Sequence, residues 1–205
     1  MSGRKRLAAA GRRALRKAAR GHLLARVHNS PGTKYCSYMI EGYVVGLSHE
    51  WVLLNKVNGD TMRANGYSAA RVKDVQMASL LRDRQDDFVG RALALRGIQA
   101  VPQPDILLCD LPSLLSSTTA HSPLVTIHVK KNLLDTGGCF IGRVDQIKKK
   151  RLVLREMDGT ARWSRTRRLK LKSITHIEFG GGYEEALWQV FEQDRQTTQN
   201  HDGHP

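Results

Sequence analysis

Apolar residues along this chain fall into short alternating runs rather than long helical stripes, and the same set of runs occurs twice. The first set predicts strands over Leu23–His28, Met39–Leu47, Trp51–Val57, Ser68–Val72 and Val75–Leu80. The second predicts them over Leu124–Val129, Cys139–Ile147, Arg151–Met157, Arg167–Leu171 and Ile174–Phe179. Laying Gly42 on Gly142 places Val44 on Val144, Leu47 on Ile147, Val52 on Leu152, Leu54 on Leu154 and Gly59 on Gly159. Upstream, Leu24, Val27 and His28 fall on Leu124, Ile127 and His128. With one residue dropped from the later unit, Val72, Val75 and Leu80 fall on Leu171, Ile174 and Phe179. Asn58-Gly59 and Asp158-Gly159 separate the third and fourth strands of each set, and such pairs supply the two positive-φ residues of a tight hairpin. Five short strands bend most readily into a small barrel, because closure removes the edges of a twisted sheet. The expected fold is mainly β with flanking helices, built as two tandem five-stranded small barrels.

Between and around these units the pattern changes. Residues 1–21 are rich in Ala, Leu and Arg, all good helix formers, with Leu7, Ala14, Leu15, Ala18 and Ala19 on one stripe. The first barrel is expected over 22–97, closed by a helix drawn from Ser79–Gly97 that carries Phe88, Ala92 and Leu95. Pro102, Pro104, Pro112 and the run SSTTAHS give 98–121 the composition of a linker, with Ile106–Leu108 and Leu114-Leu115 as a short packed segment. The second barrel is expected over 122–193, ending in a helix that buries Ala186, Leu187, Val190 and Phe191. The polar stretch 194–205 reads as a disordered tail.

The net charge of +14 is informative through its placement. Residues 1–26 hold nine Lys or Arg and no acid; residues 143–172 hold twelve against Asp145, Glu156 and Asp158; the span between carries eleven bases and ten acids. Two segments therefore account for the excess. Alternation along a strand puts Arg168, Lys170 and Lys172 on the face opposite Leu169 and Leu171, while Lys148, Lys149, Lys150 and Arg151 fill the preceding loop. With Arg165, and with Arg13, Arg16, Lys17 and Arg20 of the N-terminal segment, these are the candidate nucleic-acid-binding residues. They would neutralise phosphates and release counterions. Trp163 is either a stacking face or a barrel cap. The N-terminal segment also fits a helix packed on the first barrel, a contact for anionic lipid, or a targeting sequence.

Catalytic and metal signatures are missing. Cys36, Cys109 and Cys139 form no C-x-x-C pair, and none of the eight histidines shows an H-x-x-x-H spacing. His28 and His128 occupy equivalent strand positions, which repeat symmetry explains. No G-x-S-x-G, Walker or G-x-G-x-x-G pattern occurs. Gly180-Gly181-Gly182 reads as a joint between barrel and helix, with an anion cradle as the other reading. Asp86-Asp87 and Glu184-Glu185 sit at helix starts, where acids favour the positive end of the helix dipole. The sequence thus predicts no enzyme, no cofactor and no metal. No apolar run is long enough for a signal core or a membrane span, so a cytoplasmic protein without integral membrane association is expected.

The order of five short strands, Gly42 and Gly142 in the second strands, the apolar third strands (Val52–Leu54, Leu152–Leu154) and the closing Asp74-Val75 and Ser173-Ile174 resemble the Sm-like, SH3-type barrel. The duplicated unit ending in ITHIEFGGGYEEAL resembles, over about residues 22–190, a set of bacterial proteins with two such units in tandem. The Sm resemblance implies RNA binding and ring assembly. The loop where that family carries a base-gripping Asp and Asn reads LSHEWV and IKKKRL here, and the Arg-Gly of its second motif is replaced by VKDVQ and LKSIT. Its base pocket does not carry over, so binding would run through phosphates. The expected function is non-enzymatic contact with the backbone of DNA or RNA, without sequence specificity. The alternative is a protein-interaction module, an assembly subunit or immunity-type protein, whose basic face meets an acidic protein.

Overall fold

A computed structural model describes residues 3–29, 38–81, 88–130 and 138–201. Helix α1 (Gly3–Arg20) leads into β1 (Leu24–Asn29), β2 (Tyr38–Leu47), β3 (Trp51–Asn58), β4 (Arg63–Arg71) and β5 (Val75–Leu80). Helices α2 (Phe88–Leu95) and α3 (Leu111–His121) follow. The second set is β6 (Val125–Val129), β7 (Gly138–Ile147), β8 (Arg151–Met157), β9 (Trp163–Lys170) and β10 (Ile174–Phe179), closed by α4 (Gly182–His201). Of the helix expected from Ser79, Ser79 and Leu80 belong to β5 and α2 accounts for Phe88–Leu95; residues 82–87, with Asp86-Asp87, lie outside the described part.

The ten strands form one antiparallel sheet in the order β5-β1-β2-β3-β4-β10-β6-β7-β8-β9. The repeat seen in the sequence holds register by register. Gly42 faces Lys56 where Gly142 faces Glu156, and Leu53 faces Ala69 where Val153 faces Arg168. Even the irregularities coincide, at Val44/Gly46 and Val144/Gln146 and at Asn55/Val57 and Arg155/Met157. Bulges raise local twist and let a strand bend around a core. The two units do not close as separate barrels, however. β4 pairs with β10, Tyr67 opposite Phe179 and Ala70 opposite His176, so the fourth strand of one unit and the fifth of the other cover each other's edges. Pairing between units removes two exposed edges as effectively as closure within one.

Gly42 and Gly142 are required by close approach. A Cβ at Gly42 would stand 2.3 Å from the Asn55 carbonyl oxygen, and one at Gly142 2.1 Å from that of Arg155. The hairpins after β3 and β8 are longer than the two-residue turns predicted. The left-handed residues are Met62 (φ 50°) and Ala161 (φ 59°), and neither Gly59 nor Gly159 adopts positive φ. Asn58 and Asp158 organise these turns with their side chains. Asn58 Oδ1 accepts from the amides of Asp60 and Thr61, and Asp158 Oδ1 from those of Thr160 and Arg162. That side-chain turn is the other use of Asn and Asp in loops.

Among the described residues, four apolar clusters hold the sheet. Leu15 and Ala18 of α1 pack on Val27, Val44, Val52, Leu54 and Ala78 inside the first unit. The opposite face of β3, with Trp51 and Leu53, joins Val45, Ala69, the α3 residues Leu111, Leu114 and Leu115, and the interior of the second unit (Ile127, Leu152, Leu154, Ile177, Phe179) in one continuous core. Leu93 of α2 caps one end of the first unit over Leu24 and Val57, as Leu187 of α4 caps the second over Leu124 and Met157.

Within the stretch expected as a linker, residues 111–121 form α3 and bury Leu111, Leu114 and Leu115 in this core. Asp110 caps α3 by accepting from the Ser113 amide (2.8 Å), and Pro112 sits in the first turn, where a missing amide hydrogen is harmless. α3 precedes β6 as α1 precedes β1, so each unit is a helix, five strands and a helix. α4 continues to His201, well into the stretch expected to be disordered; residues 202–205 lie outside the described part.

Candidate nucleic-acid interface and the cleft between the repeats

Register determines which basic residues meet. In β8 and β9, Arg151 faces Lys170, Val153 faces Arg168 and Arg155 faces Thr166; in β7, Arg143 faces Arg155. Directly opposed residues project to the same side of a sheet, so Arg143, Arg151, Arg155, Arg168 and Lys170 share one face, and all are exposed. Arg155 pairs with Asp145 (3.1 Å), whereas Arg143, Arg151, Arg168 and Lys170 have no ion pair among the described residues. Exposed Lys148, Lys149 and Lys150 extend this face at one end, where the Leu171 amide donates to the Lys150 carbonyl (3.1 Å).

Other predicted residues are placed elsewhere. Lys172 belongs to a 3-10 turn, Leu171–Ser173, so strand alternation stops at Lys170, although the turn still abuts the Lys148–Lys150 loop. Arg165 alternates to the opposite side of β9 with Arg167, and Glu156 Oε2 accepts from both, at 3.1 and 2.7 Å. Burial raises the Glu156 pKa, but hydrogen bonds and charge from Arg167 and Arg165 outweigh it and hold the carboxyl below its ordinary range. Trp163 is half-buried against Phe191 of α4, ring centroids 5.3 Å apart, which makes it a cap. Arg13, Arg16, Lys17 and Arg20 lie on the exposed side of α1, which packs against β5; β5 and β9 are the two ends of the strand order.

The origin of the basic face appears when the units are compared. The positions occupied by Arg151, Val153 and Arg168 are Trp51, Leu53 and Ala69 in the first unit, and there they are buried beneath α3 and the segment around Ile106. The same structural surface is thus apolar and covered in one repeat, cationic and open in the other.

A second site lies where the repeats join. A cleft of about 400 Å³ is lined by Tyr38, Glu41, Lys56, His128, His176 and Glu178 among others. The β6–β10 register sets His128 opposite His176, and their rings stack at 3.6 Å, with Tyr38 stacked on His176 at 3.9 Å. Glu178, two residues along β10 on the same face, takes a 2.6 Å hydrogen bond from Lys56 Nζ; its carboxylate oxygens stand 4.0 Å from His128 Nε2 and 3.9 Å from His176 Nε2. Cys139 Sγ is 3.9 Å from His128 Nε2. Burial lowers the pKa of both histidines. At His128 Glu178 opposes the shift; at His176 the neighbouring His128 and Lys56 add to it and drive it well below the usual value. Burial, with Glu178 next, raises that of Cys139. Sequence spacing pointed to His28 and His128 as equivalents; the partner of His128 is His176, and only strand pairing reveals it.

One amide of the triple glycine is already engaged. Asn65 Oδ1 accepts from the Gly182 amide (2.9 Å) and so occupies the start of α4. Among the described residues no helix is long and apolar enough to cross a membrane. Comparison with protein-family models, with curated proteins and with solved structures finds no match to this chain.

Proposed function

We propose that this protein binds the phosphate backbone of nucleic acid, without sequence specificity, through the outer face of its second unit. The observation that carries this reading is the substitution of a covered apolar surface, Trp51, Leu53 and Ala69, by an uncovered one with Arg151, Val153 and Arg168 at the same register positions. Fold stability alone gives no reason to line an open sheet face with unpaired cations, since like charges opposed across strands are destabilising. A polyanion relieves that repulsion. The shared order of first, second, third and fourth strands with the fifth beside the first supports reading each unit as a Sm-like, SH3-type repeat.

The test is binding to random duplex DNA and to single-stranded RNA across about 50 to 300 mM salt, where affinity follows counterion release. An Arg151→Ser/Arg168→Ser/Lys170→Ser variant should lower the slope of log affinity against log salt by about 0.9 per lost contact on duplex, ~2.7 together. Arg165→Ser, which removes a cation paired with Glu156 on the opposite face, should change it far less. Weak binding by the unaltered chain, or equal slopes in all three, would sink the assignment and point to an acidic protein as the partner of this face.

A further inference from the structure

We propose that His128, His176 and Glu178, in the cleft between the repeats, form a binding site for a divalent transition-metal ion of the zinc type. The ligand atoms of the three side chains lie within 4.8 Å of one another. They come from adjacent strands: β10 supplies two, and β6 the third through direct pairing with His176.

Hydrogen bonding fixes how His176 presents itself. The Thr175 hydroxyl has one hydrogen, and it donates this to the His128 carbonyl at 3.1 Å. Toward His176 Nδ1, 3.3 Å away, the same oxygen can only accept, so Nδ1 carries the ring proton. Nε2 is then a bare lone pair, and it faces the Glu178 carboxylate, a second acceptor, at 3.9 Å. Two acceptors turned toward each other call for a cation. Lys56 answers part of that demand by pairing with Glu178 Oε2, while the oxygen that faces His176 Nε2 is Oε1. Orientation of a ligating imidazole through its other nitrogen is the outer-shell arrangement that tunes metal sites.

Two imidazoles, a carboxylate and a neighbouring thiol suit zinc, which takes nitrogen, oxygen and sulfur donors tetrahedrally at roughly 2.0 to 2.3 Å. In-plane lone pairs of rings stacked at 3.6 Å do not converge on one ion, so binding splays the pair into the cleft and displaces the Lys56 ammonium from Glu178. Cys139 Sγ lies 3.9 Å from His128 Nε2, beside the three-residue cluster rather than within it. The corresponding residues of the first unit are His28, Met77 and Ser79, which lack the donor set, so the site belongs to the second repeat alone.

The experiment uses the full, untagged chain, stripped with chelator and titrated with Zn²⁺ and with Co²⁺. One equivalent should bind, Zn²⁺ should raise the melting temperature and slow alkylation of the Cys139 peptide, and Co²⁺ should develop the visible absorption of a tetrahedral site. Glu178→Gln, which keeps shape and partial burial, should weaken binding at least ~100-fold, the upper range for losing even an outer-shell partner. Lys56→Met should tighten it by freeing the carboxylate. Since each variant also breaks the Lys56–Glu178 pair, circular dichroism establishes that both fold, and their opposite effects on affinity separate a ligand from a merely structural residue. Absence of saturable uptake in the unaltered chain, or uptake unchanged in both variants, overturns the proposal.

Discussion

Leu115 tests whether the two repeats stand or fall together. It lies in α3, is fully buried, and shares one core cluster with Trp51 and Leu53 of the first unit and Leu152, Ile177 and Phe179 of the second. Truncating such a leucine to alanine removes its transfer free energy and leaves a cavity, a loss of about 2 to 5 kcal/mol. Against a typical total of roughly 5 to 15 kcal/mol, that is a large fraction. For a chain of this size each kcal/mol moves the melting temperature by about 2 to 4 °C, so a ~3 kcal/mol loss shifts it by roughly 6 to 12 °C. The assay is urea unfolding followed by far-ultraviolet circular dichroism and by tryptophan fluorescence. Both probes should report one transition, displaced as a whole in Leu115→Ala. Leu107→Ala, at a position 57% exposed, should stay within ~0.5 kcal/mol of the parent. A loss below about 1 kcal/mol, or two transitions of which one is unmoved, would refute the shared core and restore the picture of independent domains on a tether.

Gly42→Ala and Gly142→Ala should each destabilise by about 1 to 3 kcal/mol, because the added methyl meets the carbonyl of the facing strand, while Gly59→Ala, with nothing within 4 Å, should be nearly neutral. Equal thermal shifts in the three variants would contradict the close approach. Glu156 makes an acid-sensitive contribution: its folded pKa lies below the ordinary 4.5, so the unfolded chain binds more protons as pH falls past that value. Its stabilisation is complete above pH 4.5 and disappears as pH drops through the folded pKa. Glu156→Gln should therefore be less stable at pH 7 yet lose less on acidification, read from urea midpoints at pH 7, 4 and 3; parallel curves would count against the Arg165–Glu156–Arg167 contact.

Much of the fold was legible in the order of residues. Short apolar runs bounded by turn residues marked the ten strands, alternating where one face meets water and continuous in β3, which is buried on both faces, and the recurrence of Gly42 at Gly142 located a duplication that extends to the bulges. Concentrated charge marked the basic segment of the second unit, and register then separated Arg151, Arg168 and Lys170 from Arg165, because parity along a strand sets which face of the sheet a side chain occupies. What only tertiary structure decided depends on contacts between residues far apart in the chain. The pairing of β4 with β10 turned two expected barrels into one sheet, and nothing local to either strand encodes its neighbour. The proline-rich stretch became α3 because burial of Leu111, Leu114 and Leu115 outweighs weak intrinsic helix preference in a serine- and threonine-rich segment. His176 and Glu178 met His128 and Lys56 for the same reason: strand register and packing, rather than spacing, set which side chains share a cleft.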